Sequence, residues 1–160
     1  MRLTLPLTVR DLAVGDLDGL GWAGSPSHAG YVRRELDRAA AGEGAYLAVC
    51  GPPDVPFAIG AADFRRRPGV GTIHQLSVLP ALQPCGLGTL LIGALEETIA
   101  KQRLRRADLA VDDDNARARA LCERLGYTPF GTELDRWDYE LADGTTGTHE
   151  SMCTLLGKDL

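Results

Sequence analysis

Between residues 71 and 103 the sequence passes from an apolar strand through a short loop into a long amphipathic helix. Apolar residues recur at helical spacing from 86 to 103, which predicts a helix with one face against a core. The loop carries two glycines, Gly86 and Gly88, where this helix should begin. A strand followed at once by such a helix is typical of domains in which helices pack on a sheet.

The two glycines of this loop indicate an anion-binding turn. The free N–H groups at a helix N-terminus and the helix dipole favour negative charge, and glycines let a pyrophosphate approach the backbone. The sequence lacks the third glycine of a dinucleotide fingerprint and the Lys-Ser/Thr of a P-loop. On the residues alone, a turn that merely starts a helix is therefore an equally good interpretation.

The strand before the loop has an irregular pattern. Its apolar residues fall on Ile73 and then on Leu76 and Val78, so the period of two slips by one residue. A β-bulge would produce this slip, and so would a strand that is buried on both faces. If the later phase holds, His74 lies on the same face as Leu76 and Val78.

The rest of the chain predicts one domain over residues 1–160, since this length is too short for two comfortable cores. We expect an α/β (α+β) fold whose central sheet is mixed and mostly antiparallel, with flanking helices. The predicted strands cover residues 5–9, 45–50, 56–64, 71–79, 108–111, 130–141 and 150–156. The predicted helices cover residues 16–23, 28–41 (with Ser27 as N-cap), 86–103 and 116–125.

Composition narrows the range of partners. No apolar run approaches the ~20 residues of a membrane span, and the N-terminus lacks the apolar region of a signal peptide, so we expect a cytoplasmic protein. The net charge of −5 argues against a nucleic-acid partner and suits a cationic one. The four cysteines form no Cys-x-x-Cys pair and have no nearby histidine, so no metal site is expected.

Two motifs together resemble the GNAT family of N-acetyltransferases. The first is Gln83-x-x-Gly86-x-Gly88 following Leu-Ser-Val-Leu-Pro at 76–80. The second runs from Asn115 through Ala118, Leu121 and Cys122 to Gly126-Tyr127 and is similar to a second family pattern. The resemblance implies a GNAT-like fold with a splayed, bulged strand. It also implies an enzyme that moves an acetyl group from acetyl-CoA to a primary amine, by direct attack in a ternary complex.

The resemblance implies a set of residues for the cofactor. These are Leu76, Ser77 and Val78 along the pantetheine arm, then Gln83, Pro84, Cys85, Gly86, Leu87, Gly88 and Thr89 at the pyrophosphate, and Asn115. Many members carry Arg or Lys where this chain has Pro84 and Cys85, and proline has no N–H to donate. We therefore expect weaker CoA affinity than a basic loop would give. Asn115 also has the residue type of a helix N-cap.

The resemblance also implies catalytic groups. The N–H near Val78 would stabilise the oxyanion. A base is needed to neutralise an ammonium acceptor, and the candidates are His74 and the aspartates at 112–114. Many members have a tyrosine acid where this chain has Cys122. A thiol could donate a proton, but a place on the apolar helix face favours a buried, inert cysteine.

For the acceptor pocket, the resemblance implies the first two helices and the closing hairpin. Its candidate residues are Trp22, His28, Tyr31, Trp137 and Tyr139, and core packing is the alternative for each. The sequence leaves three further matters open. The acyl donor could be another acyl-CoA, the domain could bind CoA with little or no catalysis, and the chain could form a homodimer.

Overall fold

The computed structural model describes residues 1–24 and 26–160, and all their side chains except those of Pro26 and Ser27. The N-cap predicted at Ser27 therefore lies outside the described side chains. Seven strands are β1 (Thr8–Asp11), β2 (Gly44–Gly51), β3 (Val55–Arg67), β4 (Val70–Val78), β5 (Arg106–Asp112), β6 (Thr128–Glu140) and β7 (Thr146–Asp159). Three α-helices are α1 (Pro26–Ala40), α2 (Leu87–Lys101) and α3 (Ala116–Arg124).

The strands form one sheet in the order β1-β2-β3-β4-β5-β7-β6. Every neighbouring pair is antiparallel except β4 and β5, which run parallel. A parallel pair needs a crossover connection, and α2 provides it. The predicted fold class, a mixed and mostly antiparallel sheet with flanking helices, is confirmed.

Alternating residues of the central strands divide the core into two layers. On β2, Leu47 and Val49 belong to the cluster that packs against α2, whereas Tyr46, Ala48 and Cys50 belong to the cluster that packs against α1. The helices α1 and α2 therefore cover opposite faces of the sheet. We call these the α1 face and the α2 face.

The slip in the pattern of β4 is a β-bulge. Ile59 of β3 pairs with Ser77, but Ala61 pairs with His74, so β4 has one residue more than β3 over this stretch. The extra residue is Gln75, whose φ of +54° is unusual for a residue other than glycine. The bulge that the sequence left as one of two interpretations is thus present.

This bulge makes one prediction wrong. His74 does not share a face with Leu76, because the extra residue reverses the alternation between them. His74 lies on the α1 face near Glu35 of α1, whereas Leu76 lies on the α2 face beside Leu91. Gly60 permits this approach, since a Cβ there would meet Cδ2 of Leu76 at 2.6 Å.

The same strand splays from its parallel neighbour. Residues Val70, Gly71, Thr72 and Ile73 of β4 pair with β5, and the pairing ends at Ile73. Beyond that point β5 continues to Asp112 with β7 as its partner. A gap therefore opens between the second halves of β4 and β5.

The N-terminal third departs most from the predicted elements. The first strand begins at Thr8 instead of residue 5, and two short 3-10 helices, Val14–Gly19 and Gly21–Ala23, replace the predicted helix at 16–23. Asp16 fixes this segment by accepting hydrogen bonds from the Ala13 N–H and from Arg10 of β1. In the described part of the chain, no helix has the length and apolar character to span a membrane.

Candidate active site

A cavity of about 810 Å³ passes through the sheet at the gap between β4 and β5. Its walls include His74, Leu76 and Val78 of β4 and the segment from Leu109 to Asp112 of β5. Helices α2 and α3 complete it on the α2 face, and α1 and β6 complete it on the α1 face. One opening could therefore hold two reactants that approach from opposite faces.

On the α2 face, the cavity reaches the start of α2. Gly86 has a φ of +80° and stands just before the helix, where a residue with a side chain would be strained. The first helical hydrogen bond joins the Leu90 N–H to the Gly86 carbonyl at 3.2 Å. The N–H groups of Leu87, Gly88 and Thr89 therefore have no partner within the helix and suit an anion.

The predicted cofactor residues take different positions around this opening. Leu76, Val78, Gly88 and Asn115 line the cavity. Gln83, Pro84 and Cys85 lie in an exposed 3-10 helix, Pro80–Cys85, that leads into α2. The Leu87 side chain is buried in the core, so only its backbone can face a ligand.

Asn115 acts as the N-cap of α3, because its Oδ1 accepts a hydrogen bond of 3.1 Å from the Ala118 N–H. It also lines the cavity. The capping interpretation of this residue agrees with the structure, and its amide nitrogen is still available to a ligand.

The backbone of Val78 faces the gap. The Leu79 N–H donates to the Phe57 carbonyl at 2.8 Å, and Val78 is the cross-strand partner of Ala58. In an antiparallel pair, this pattern places Val78 at a non-hydrogen-bonded position, whose N–H and C=O point away from β3. They point towards the side where β5 has separated.

On the α1 face, the cavity is lined by His28 and Tyr31 of α1 and by Trp137 and Tyr139 of β6. The Trp137 ring lies 4.1 Å from the His149 ring, measured between centroids. Burial holds the pKa of His28 below its ordinary value. Trp22, the fifth predicted pocket residue, instead packs partly buried against the core on the α1 face.

Carboxylates lie at the same opening. Asp112, Glu133 and Asp135 line the cavity, and Glu133 lies 3.4 Å from both Arg66 and Arg67. Asp112 and Asp135 form no ion pair with any described residue. The Asp114 N–H, then the Ser151 hydroxyl, holds the pKa of Asp112 below its ordinary value. Carboxylates without an ion-pair partner suit a cationic group.

His74 has a partner that the sequence analysis missed. Its Nε2 is buried and lies 3.4 Å from Oε2 of Glu35, in a contact without hydrogen-bond geometry. The His74 imidazole is the largest influence that holds the pKa of Glu35 below its ordinary range. One sequence signal could have indicated this contact. Glu35 lies three residues after Val32 and directly before Leu36, and both of these residues pack against the sheet.

Cys122 lines the cavity from α3, and its side chain is buried. Burial, with a smaller influence from Glu123, raises the pKa of Cys122 to about 11. The thiol is therefore neutral at physiological pH. Among the described residues, no group of three His, Cys, Asp or Glu side chains is arranged to hold a metal ion.

Comparisons with known proteins agree with this architecture. The model of the acetyltransferase (GNAT) family matches residues 20–127. A mycothiol acetyltransferase from Beutenbergia cavernae is 41% identical over 59 residues, which are 37% of this chain and 20% of that protein. The match thus spans about a fifth of the length of this relative.

Two solved structures have the same fold. The ribosomal-protein-S18-alanine N-acetyltransferase of Escherichia coli has a TM-score of 0.73 at 18% identity, over 96% of this chain and 94% of that one. A phosphinothricin acetyltransferase from Sinorhizobium meliloti, solved in complex with AcCoA, has a TM-score of 0.73 at 15% identity. That match covers 96% of this chain and 88% of the other.

Proposed function

Since the chain belongs to the acetyltransferase (GNAT) family, we propose that it transfers an acetyl group from acetyl-CoA to a primary amine of a small molecule or of a protein or peptide. The expectation of an acyltransferase is confirmed at the level of the family. The observation that carries the more specific proposal is the cavity through the splayed sheet. It joins a helix N-terminus on one face to free carboxylates on the other.

The donor enters from the α2 face. The N–H groups at the start of α2 bind its pyrophosphate, and the outward backbone of Leu76 to Val78 pairs with its pantetheine arm. The Val78 N–H donates to the thioester oxygen and stabilises the negative charge that develops there. The exposed loop at Gln83, Pro84 and Cys85 contributes no cationic side chain, so affinity rests on backbone N–H groups and on Thr89.

The acceptor enters from the α1 face, where Asp112 and Asp135 attract its ammonium group. His74 accepts a proton from the ammonium, and the neutral nitrogen attacks the thioester carbon in a ternary complex. The carbon–sulfur bond breaks and CoA leaves as a thiolate. The proton that the nitrogen loses as the amide forms neutralises this thiolate, so Cys122 need not act as an acid.

An acyl-transfer screen tests the proposal. Release of free CoA thiol is measured over a panel of small amines and N-terminal peptides, with acetyl-CoA and with several longer acyl-CoAs. We expect amine-dependent release with acetyl-CoA, and an amide product in the mass spectrum. Acetyl-CoA binding without release for any amine would favour a binding domain instead. Release of CoA thiol only with the longer acyl-CoAs would show that the chain is an acyltransferase with an acyl donor other than acetyl-CoA.

A cytoplasmic location and a homodimer stay predictions. Light scattering on the purified chain, with and without acetyl-CoA, determines whether it forms a homodimer. A single species at the monomer mass in both samples would contradict it.

A further inference from the structure

We propose that Glu35 is a positioning residue for His74: it orients the imidazole and balances the positive charge that the ring acquires as the base. This inference rests on the proposed function for its catalytic part. Glu35 lies on α1, outside both sequence motifs of the family resemblance. The two side chains meet because His74 is the cross-strand partner of Ala61, which belongs to the cluster on the α1 face.

The first argument is the direction of the ring. The Nε2 atom of His74 is buried and has no hydrogen-bond partner in the described structure, and Oε2 of Glu35 lies 3.4 Å away. A buried ring nitrogen without a partner is costly, so a small rotation that closes this contact is favourable. With a proton on Nε2, the lone pair of His74 lies on Nδ1. In this proposal Nδ1 is the atom that takes the proton of the acceptor, and His74 lines the cavity in which that acceptor would bind.

The second argument is the balance of charge around the pair. Arg38 is shared by three carboxylates, since it lies 3.6 Å from Glu35, 3.5 Å from Glu43 and 2.7 Å from Asp63. One guanidinium cannot neutralise three carboxylates, so Glu35, the most distant of the three from Arg38, keeps a negative charge beside His74. This charge stabilises the imidazolium that forms when His74 takes a proton from the acceptor.

The third argument is that Tyr46, which holds the residue of the bulge, carries no charge. The Tyr46 hydroxyl donates to Oε1 of the Gln75 side chain at 2.9 Å, and Tyr46 is 1% exposed. Burial, then the charge of Glu35, raises the pKa of Tyr46 and keeps its phenol neutral. Tyr46 thus holds the bulge and carries no charge of its own, and Glu35 is the carboxylate that lies within 4 Å of His74 in the described structure.

The test compares Glu35→Gln with Glu43→Gln. Glu43 lies against the same Arg38 and shows no contact with His74, so it is a matched control for the loss of one carboxylate.

We expect Glu35→Gln to lower kcat on the order of tenfold, less than the ~100-fold or more expected for His74→Gln. The KM for acetyl-CoA should not change. The acidic limb of the pH–rate profile should move to lower pH, because removal of the anion disfavours the imidazolium. Glu43→Gln should resemble the wild type.

A measurement without turnover separates this inference from the proposed function. The 15N spectrum of the His74 imidazole should show the proton on Nε2 in the wild type, with this preference weakened in Glu35→Gln. The Glu35 carboxyl should titrate at higher pH in His74→Gln than in the wild type, because its main stabilising neighbour is gone. A wild-type ring with its proton on Nδ1 would overturn the proposal. Equal kinetics of Glu35→Gln and Glu43→Gln, where His74→Gln is impaired, would also overturn it.

Discussion

Single residues in this cavity differ in how far their surroundings allow them to react. His74 lines the cavity, and its Nε2 lies 3.4 Å from a carboxylate oxygen of Glu35, an arrangement that suits proton transfer. Cys122 lines the same cavity, but burial holds its proton firmly. Position beside a reaction centre is therefore insufficient to make a side chain reactive. Burial and charged neighbours together decide whether it can react.

Cys122 provides a prediction at this scale. Cys122→Ser and Cys122→Ala should each lower kcat only modestly, because a thiol with a pKa near 11 is a poor acid at neutral pH. The loss should appear instead as about 1 kcal/mol of unfolding free energy. Denaturant unfolding and pH–rate profiles measure both effects.

Cys50 offers a control for that comparison, since it is also buried but does not line the cavity. Cys50→Ala should lower the unfolding free energy by a similar amount and leave kcat unchanged. A hundredfold fall in kcat of Cys122→Ser with acetyl-CoA binding intact would instead make Cys122 the acid.

At the scale of elements, the sequence predicted the regular parts of the fold well. The helical period located α2 and α3 to within two residues at each end, since apolar spacing and the cap at Asn115 are local signals. The segment at 16–23 is predicted as one helix but forms two 3-10 helices, since Asp16 accepts hydrogen bonds from Arg10 and from the Ala13 N–H, which a local pattern does not reveal. The Glu35–His74 contact depends on which face His74 occupies, and a period of two could not settle that across a bulge.

The start of α2 leads to a prediction for CoA binding. Acetyl-CoA should raise the thermal unfolding temperature of the wild type by mass action. Gly88→Val should remove this shift, because the side chain would block the approach of a phosphate to the backbone. A Cβ at Gly88 meets only Cδ2 of Leu121, at 3.2 Å, so the fold should survive. Calorimetry with and without acetyl-CoA measures the shift.

Gly93 is the matched control in the same helix, since a Cβ there meets nothing within 4 Å. Gly93→Val should keep the thermal shift caused by acetyl-CoA, and its effect on helix propensity should be similar to that of Gly88→Val. If Gly88→Val also keeps it, the phosphates bind elsewhere.

The pairing of β1 with the first 3-10 helix leads to a prediction on pH. Arg10, which donates to both carboxylate oxygens, holds the pKa of Asp16 below its ordinary value of 3.8. Because the folded pKa is depressed, the stabilisation is complete above about pH 4 and is lost as the pH falls through the folded pKa. Asp16→Asn should thus lose about 1–2 kcal/mol at pH 7 and converge with the wild type in acid.

Asp18 lies in the same short helix, is exposed and shows no ion pair in the described structure, so Asp18→Asn is the control. Urea unfolding at pH 7 and pH 3 compares the three proteins. If Asp16→Asn loses the same unfolding free energy relative to the wild type at both pH values, the proposed link between Asp16 ionisation and stability is contradicted.

At the scale of the whole molecule, the splay divides the cavity into two halves that belong to opposite faces of the sheet. Ala118 of α3 lines it from the α2 face, and Ala110 of β5 lies on the α1 face as the cross-strand partner of Leu155. A bulky side chain at either position should therefore block one half of the cavity and leave the other half open.

Ala118→Phe should abolish the thermal shift caused by acetyl-CoA. Ala110→Phe should keep that shift and raise the KM for the amine on the order of tenfold or more, since the added ring occupies the opposite opening. Calorimetry and steady-state kinetics on the same preparations measure both. Loss of the acetyl-CoA shift in Ala110→Phe would mean that the two openings are not independent.

The long outer strand β6 brings Trp137 and Tyr139 to the α1 face, yet none of its 13 residues is buried. Substitutions at exposed positions usually change the unfolding free energy by no more than ~0.5 kcal/mol. Mutations along β6 can therefore alter the acceptor opening at little cost to folding, whereas the start of α2 is tied to the core through Leu87 and Leu91. Over evolutionary time, such a protein could exchange one acceptor for another while its donor half stays unchanged.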